Sequence, residues 1–374
     1  MFEREETAMI GQLKRICLCG VLALSVATFP WIAWSDAGVA ASSQLQGKSR
    51  STSEQRGGIF SLRGPRDEDF TKAPELEFPF VAGLSARIAW SDLEPKQGQY
   101  DWRLLEQAKE TAASHKKPLM LRVTAGMLSP DWVYKLEGVG AVTFTKEDVS
   151  WLKPGETVRM PVPWAEGYLK AWESCLVALG KKIHDWPELY CVQMTGGGFI
   201  GELHLPKTSA TTMKQWQEAG ASEEKVNAMW RRIITAYDKN MPAHVGISLN
   251  LALPLPGYET GTVVREWALR EYPGHVWFQQ NGLSGVKEKG AYSEILISAS
   301  ATTTVGYQMA GTVEGSEAGG RKIVWPRAFQ RAIEDKCSYL EVYQVDVNDP
   351  KRKDDLIFLA NGLEKNNESK LKQK

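Results

Sequence analysis

The chain has 374 residues, of which 43% are hydrophobic and 24% are charged. This composition supports a folded protein with a large apolar core. The formal net charge is zero, so there is neither a basic excess for nucleic acid nor an acidic excess for cation storage. We therefore expect no nucleic acid partner.

The N-terminus has the pattern of a secretory signal peptide. Lys14 and Arg15 precede an apolar stretch over residues 16–34, and small residues follow it. This order predicts a signal peptide over residues 1–41 and a secreted or periplasmic protein. The two predicted cleavage sites are after Ala37 and after Ala41. The apolar stretch is about 19 residues long, so an uncleaved membrane anchor is the alternative, and we expect no other contact with a membrane.

Strand-like runs alternate with helical patterns after a predicted flexible linker over residues 42–57. The eight predicted strands are 58–62, 81–90, 118–124, 189–194, 244–251, 275–280, 303–309 and 338–345. Alternation of this kind predicts a parallel sheet with right-handed crossovers. Eight such units predict an α/β protein with a single (β/α)8 TIM barrel domain over residues 58–364. The last helix is predicted over 354–363, and a disordered polar tail over 365–374.

The run from Arg87 to Trp102 carries the most specific signal in the sequence. A strand reaches Trp90, a Glu94-Pro95 turn follows, and Asp101 is suited to cap the next helix. The run resembles the second strand and loop of clan A-type (β/α)8-barrel glycoside hydrolases, of the β-galactosidase family 42 and endoglycanase kind. The resemblance implies the barrel fold and a carbohydrate-binding cleft at this loop.

The same resemblance implies an acid/base after the fourth strand and a nucleophile at the end of the seventh. Glycoside cleavage ordinarily uses two such carboxyl groups. After the fourth strand, a glycine-rich loop leads to Glu202. At the seventh strand, Gln308 stands where the family carries glutamate, so Glu314 or Glu341 is the substitute nucleophile. A structural pair between Arg122 and Glu341 is the alternative for Glu341.

Polar and aromatic residues at the predicted strand ends suit a polyhydroxylated ligand, because reacting and binding groups of such barrels lie at this end. Trp132 and Trp164 are predicted platforms for sugar rings, and His204 is predicted to bind ligand or to orient Glu202. The remaining predicted substrate-binding residues are Trp90, Arg122, Gln193, Asn250, Gln280, Tyr307, Gln308 and Tyr343. For each of these residues, ordinary solvation of a strand end is the alternative.

The motifs of other chemistries are missing from the sequence. The five histidines are scattered, without HExxH or any carboxylate–histidine cluster at metal-ligand spacing, so no metal is expected. No GxGxxG, Walker-type or GxSxG motif occurs, and we expect no cofactor. Cys175, Cys191 and Cys337 would remain after cleavage of the leader. They are predicted to be mostly buried, with one disulfide as an open alternative.

Two functional hypotheses follow from the sequence. The first is an exported glycoside hydrolase-like protein that acts on a carbohydrate through a pair of carboxylates at the mouth of the barrel. The alternative is a non-catalytic carbohydrate-binding barrel that lacks the nucleophile, and Gln308 motivates it. A third hypothesis is a structural or envelope-associated barrel whose mouth is plugged.

Overall fold

A computed structural model of the protein describes residues 57–65, 69–206, 209–252, 255–286, 291–318 and 322–372. The predicted signal peptide and all but the last residue of the predicted linker lie outside these ranges. The strands are β1 (Ile59–Arg63), β2 (Val81–Ala89), β3 (Leu119–Thr124), β4 (Ala141–Phe144), β5 (Val158–Pro161), β6 (Leu189–Gln193), β7 (Gly246–Asn250), β8 (Val276–Leu283), β9 (Val305–Met309) and β10 (Tyr339–Tyr343).

Eight of these strands form one closed parallel barrel, which confirms the predicted (β/α)8 fold. The order around the barrel is β1, β2, β3, β6, β7, β8, β9 and β10, and β10 pairs with β1 to close it. Every predicted strand overlaps one of the eight. All residues of β3 are buried, since helices cover the outside and side chains fill the inside.

Helices connect the strands and cover the barrel. They are α1 (Trp90–Leu93), α2 (Arg103–Ser114), α3 (Glu166–Ile183), α4 (Ala210–Glu218), α5 (Glu223–Asn240), α6 (Thr260–Glu271), α7 (Ala291–Ala299), α8 (Val313–Ala318), α9 (Trp325–Glu334), α10 (Gln344–Val347) and α11 (Lys353–Leu371). The α5 helix illustrates the sequence rules. The Ser222 side chain accepts a hydrogen bond from the Lys225 amide, and Val226, Met229 and Ile233 bury one face. Within the described ranges, no helix has the length and apolarity needed to cross a bilayer.

The β4–β5 hairpin was not predicted from the sequence. It is an antiparallel excursion between β3 and α3, and its inward side chains Val142, Phe144 and Met160 are buried. The Phe144 ring packs against Phe199 and Trp216, at centroid distances of 5.0 and 5.9 Å. Four-residue strands give too short an alternation to distinguish from a loop, and only this tertiary packing defines them.

The tail predicted to be disordered from residue 365 is instead the end of a helix. The α11 helix continues to Leu371, well past the predicted end at residue 363. Asn366 donates hydrogen bonds to the carbonyl oxygens of Ile333 and Cys337, at 3.0 and 3.1 Å. These contacts order a polar segment whose composition alone indicates fraying, and they tie it to the turn before β10. Residues 373–374 lie outside the described ranges.

An aromatic layer fills the barrel interior near the N-terminal ends of the strands. It consists of Phe60, Met120, Tyr190, Trp277 and Tyr339. The Tyr190 ring lies 5.1 Å from that of Phe60 and 5.0 Å from that of Trp277, centroid to centroid. Since this half of the barrel is packed, polar chemistry is confined to the opposite, C-terminal half.

Gly306 tests the tightness of this packing. A Cβ at Gly306 would lie 2.4 Å from the Tyr339 ring, so we expect Gly306→Ala to lower the free energy of unfolding by about 1–3 kcal/mol through overpacking. Gly140→Ala is the control, because its Cβ would meet nothing closer than a Val162 methyl at 3.4 Å. Urea denaturation followed by circular dichroism measures both. Equal stability of the two variants would contradict the packing described here.

Candidate functional site at the C-terminal mouth of the barrel

A polar layer lies above the aromatic layer, toward the C-terminal ends of the strands. Successive residues of a strand alternate between the inside and the outside of a barrel. On this rule Ser85 and Arg87 share the inner face of β2, and Gln279 and Asn281 share that of β8. The other inward polar residues are Arg122, Gln193, Ser248, Asn250, Gln308 and Glu341.

A buried ion pair between Arg122 and Glu341 organises this layer. Their side chains are 2% and 0% exposed, and Arg122 Nη2 lies 3.1 Å from Glu341 Oε2. Arg122 Nη2 also donates to Gln308 Oε1 at 3.1 Å, and Arg122 Nε donates to Gln193 Oε1. The guanidinium thus reaches three strands at once. Buried pairs are tolerated when the remaining polar atoms also find partners, as they do here.

Both carboxylate oxygens of Glu341 are engaged inside the protein. Oε1 accepts from the Ser85 hydroxyl, and Oε2 accepts from Arg122 and from Gln279 Nε2, the latter at 2.5 Å. Gln279 Nε2 also donates to Asn281 Oδ1 at 2.6 Å. The structural pair that the sequence left as an alternative for Glu341 is therefore present. A fully buried carboxylate with three donors inside the protein serves the polar layer rather than a ligand in the cleft.

The loop that follows β6 delivers Glu202 by means of its glycines. Gly196 and Gly201 have φ angles of 109° and 98°, in the left-handed region that favours glycine. A Cβ at Gly198 would lie 1.5 Å from the backbone oxygen of Glu202, so a side chain there would displace the loop. The Tyr168 hydroxyl donates to the Gly196 carbonyl at 2.6 Å and fixes the start of the loop.

Glu202 is half-buried, and its surroundings change its acidity. Burial raises the pKa of Glu202 above that of an ordinary glutamate. The positive charge of Arg122, the neighbouring Asn281 amide and the charge of Arg87 oppose this effect without overcoming it. The Glu202 side chain is therefore close to the inward residues of β2, β3 and β8. A carboxyl with a raised pKa is suited to stay protonated and donate.

Two asparagine side chains lie beside the Glu202 loop. The Asn281 amide donates toward the Glu202 carboxyl. Asn250 lies on the neighbouring strand, in register with Gln279, and its Oδ1 is buried without a hydrogen-bond partner among the described residues. Asn250 Nδ2 makes a long bond of 3.4 Å to the carbonyl of Gly201, in the loop that carries Glu202. Buried polar atoms ordinarily have partners, so Asn250 Oδ1 is an exception within the polar layer.

The tryptophans predicted at the cleft are fixed by hydrogen bonds within the protein. Trp90 is 0% exposed, and its indole nitrogen donates to Glu94 Oε2 at 2.8 Å, so it packs in the core rather than facing a ligand. Trp132 and Trp164 are half-buried. Their indole nitrogens donate to the carbonyl oxygens of Glu94 and Ala219, at 2.9 and 2.8 Å.

Other predicted site residues lie away from the polar layer. The Tyr307 hydroxyl donates to Asp335 Oδ2 at 2.7 Å, on the outside of the barrel, because Gly306 and Gln308 occupy the inward positions of β9. Glu314 is exposed at the second residue of α8, outside the hydrogen-bond network around Arg122. Gln280 stands between the inward residues Gln279 and Asn281 on β8, so its side chain points to the outside of the barrel.

His204 and Tyr343 stay close to the mouth. His204 is half-buried and two residues beyond Glu202, and its backbone oxygen accepts from the Phe199 amide at 2.9 Å. Tyr343 is the last residue of β10, and its ring lies under the Arg87 guanidinium. Both remain predicted contacts for a ligand.

Five inward polar residues are missing from the predicted site residues. They are Ser85, Arg87, Ser248, Gln279 and Asn281. Counting every second residue along a strand from a known inward position identifies such residues, because side chains alternate between the two faces. From Trp277, for example, the count gives Gln279 and Asn281 and passes over Gln280.

The described residues contain no group of three or more His, Cys, Asp or Glu side chains that could hold a metal ion. Cys175, Cys191 and Cys337 are buried and free, so none of them forms the disulfide that the sequence left open. Burial raises the pKa of the Cys175 and Cys191 thiols, which keeps them protonated and unreactive.

Solved structures of similar fold include the catalytic domain of a β-amylase from Paenibacillus polymyxa and a cold-adapted β-galactosidase from Rahnella sp. R3. The β-amylase domain is 12% identical, with a TM-score of 0.55, over 85% of this chain and 97% of its own. The β-galactosidase is 12% identical, with a TM-score of 0.52, over 84% of this chain. The chain spans only 57% of that β-galactosidase.

No protein-family profile and no curated protein matches the chain. The structural likeness therefore establishes the (β/α)8 barrel fold that the Arg87–Trp102 run implied.

Replacing Glu341 distinguishes a structural from a chemical carboxylate. Glu341→Gln leaves the buried Arg122 without its counter-charge, so we expect the free energy of unfolding to fall by about 3–5 kcal/mol. The control, Glu314→Gln, changes an exposed side chain and should stay within about 0.5 kcal/mol of the parent. Chemical denaturation of both variants measures the difference. A stable Glu341→Gln protein would show that the ion pair is dispensable.

Proposed function

We propose that this protein binds a carbohydrate at the C-terminal mouth of its barrel. The observation that carries the proposal is the polar layer at this mouth, where the Glu202 carboxyl lies beside Asn281, Arg122 and Arg87. The layer offers both donors and acceptors, and a sugar hydroxyl can act as either. Fold similarity to a β-amylase domain and a β-galactosidase supports the same class of ligand.

The positions of the carboxyl groups favour binding of a carbohydrate over its hydrolysis by a carboxylate pair. Gln308 is the inward residue at the end of β9 and accepts from Arg122, and a neutral amide cannot attack an anomeric carbon. Glu341 is fully buried and engaged, and Glu314 lies outside the polar layer. Among the described residues of the mouth, Glu202 is then the single carboxyl left for a ligand, and the two-carboxyl mechanism needs a second.

Hydrolysis is the second candidate, because the raised pKa of Glu202 suits a general acid. An acid of this kind acts while it is protonated. Activity that depends on Glu202 would therefore fall as the pH rises through its raised pKa, and that fall would lie above the pH at which an ordinary glutamate ionises.

A glycan panel with the mature protein separates the two candidates. Calorimetry against polysaccharides and turnover of aryl glycosides measure binding and cleavage in parallel. We expect binding without turnover, and Asn250→Ala and Glu202→Gln should each weaken binding by about tenfold, the worth of one hydrogen bond to a buried polar group.

Glu314→Gln is the control variant and should bind like the parent. Turnover that is lost in Glu202→Gln would establish the hydrolase instead. A failure of every glycan to bind would overturn both candidates.

Export is a further part of the proposal, supported by the basic residues and the apolar stretch at the N-terminus. Expression of the full chain in a bacterial host should give a secreted or periplasmic product that begins at residue 38 or 42. Intact mass measurement of the product from each fraction tests this. A full-length chain recovered from the membrane fraction would indicate the uncleaved anchor.

A further inference from the structure

We propose that Arg87 recognises an anionic group on the bound carbohydrate, which makes an acidic sugar the substrate class of this cleft. The inference rests on the proposed carbohydrate function and deepens it. The shared chemistry of the group is a flat or tetrahedral oxyanion, either the carboxylate of a uronic acid or a sulfate ester.

Arg87 lies on the inner face of the barrel at the level of the mouth. Ser85, two residues earlier on β2, faces inward and donates to Glu341. Arg87 is in register with Arg122 on the neighbouring strand β3. The two inward arginines therefore lie side by side, each two residues from the end of its strand, and Arg87 is half-buried whereas Arg122 is buried.

The two arginines differ in how their charges are compensated. Arg122 has Glu341 at 3.1 Å. Arg87 donates from Nε to the carbonyl oxygen of Arg63 at 3.0 Å and lies 5.6 Å from the centroid of the Tyr343 ring. Within the described ranges, Arg87 forms no ion pair with a carboxylate. Its charge is thus partly removed from water and held in place, and the Glu341 and Glu202 carboxyl groups act on it only from beyond ion-pair distance.

The balance of charge at the mouth changes with Glu202. Arg87 and Arg122 bring two positive charges, and Glu341 brings one negative charge. Glu202 is the remaining acid, and burial favours its protonated form. With Glu202 protonated, one positive charge is unmatched. An oxyanion on the ligand would supply the missing negative charge.

The geometry of Arg87 suits an oxyanion. Guanidinium presents a planar fork that binds two oxygens of one carboxylate or sulfate. Nε is engaged by the Arg63 carbonyl and the guanidinium also donates to Tyr343, so the remaining terminal N–H groups are the ones left to meet a ligand. The Tyr343 ring, 5.6 Å from the guanidinium carbon, restricts its position, and partial burial strengthens the attraction by lowering the local dielectric.

The experiment compares acidic oligosaccharides with neutral partners of the same backbone. Uronate oligosaccharides and their carboxyl-reduced forms make one pair, and sulfated oligosaccharides and their desulfated forms make the other. Calorimetry with the mature protein is expected to give at least about tenfold tighter binding of one acidic member than of its neutral partner. The pair that shows the difference identifies carboxylate or sulfate as the group.

Variants assign the selectivity to Arg87. Arg87→Gln should bind the acidic and neutral members equally, and Arg87→Lys should keep part of the preference, because a point charge replaces the fork. Arg270→Gln is the control, since Arg270 is an exposed arginine on α6 that pairs with Glu271. It should keep the full selectivity. Thermal unfolding verifies that each variant is folded.

The outcomes separate this inference from the proposed function. Equal binding of acidic and neutral members by the parent protein would overturn the role of Arg87 and leave carbohydrate binding intact. Selectivity that persists in Arg87→Gln would overturn it as well. If Arg87→Gln does not fold, the comparison in the parent protein still decides. Failure of all four oligosaccharide types to bind would refute the proposed function itself.

Discussion

The arrangement of the mouth depends on one buried ion pair. Arg122 lies on β3 and Glu341 on β10, and β1 and β2 separate these two strands in the barrel. Removing both charges from water costs on the order of several kcal/mol. The cost is tolerated because amide and hydroxyl groups complete the shell, namely Ser85, Gln193 and Gln279. Each of these groups is therefore held in one orientation. The ion pair and these groups therefore form a rigid polar layer beneath the mouth of the barrel.

This polar layer also determines which chemistry the mouth of the barrel can support. The charge of Glu341 is paired with Arg122, and Gln308 offers Arg122 a neutral oxygen where the resemblance to glycoside hydrolases implied an acid. A second negative charge at that position would compete with Glu341 for the same guanidinium. Because Gln308 is neutral, the charges of Arg122 and Glu341 stay balanced. Among the described residues of the mouth, Glu202, on a separate loop, is then the acid whose protonation can change. A fixed polar surface of this kind suits recognition of hydroxyl groups more than covalent attack.

The sequence predicted the barrel well because its signal is local and repeated. Each strand is an apolar run and each helix has an apolar stripe, so eight units could be counted. The position of Glu202 after the fourth barrel strand could also be predicted, because the glycine-rich loop before it is visible in the sequence, while its acid/base role stays a prediction. The residues of each strand that face the interior were harder to predict. A shift by one residue moves Tyr307 instead of Gln308, or Gln280 instead of Gln279, to the inward face.

Elements that depend on tertiary contacts were missed for a different reason. Trp90 lies in a motif that indicates a cleft, yet the short helix α1 turns its ring toward Trp172, 4.9 Å away, inside the core. The hairpin and the end of α11 likewise gain their order from partners distant in the sequence. No local pattern records such partners.

The contact between β1 and β10 has a consequence for how the protein is made. These strands lie at opposite ends of the barrel sequence, and each is a neighbour of the other in the closed sheet. During synthesis β1 emerges before β10 and keeps an unpaired edge until β10 has been made. Unpaired strand edges of this kind invite association with other chains. Asn366 and Asn367 on α11 hold the turn before β10, so a helix that follows β10 in the chain helps to position the strand that closes the barrel.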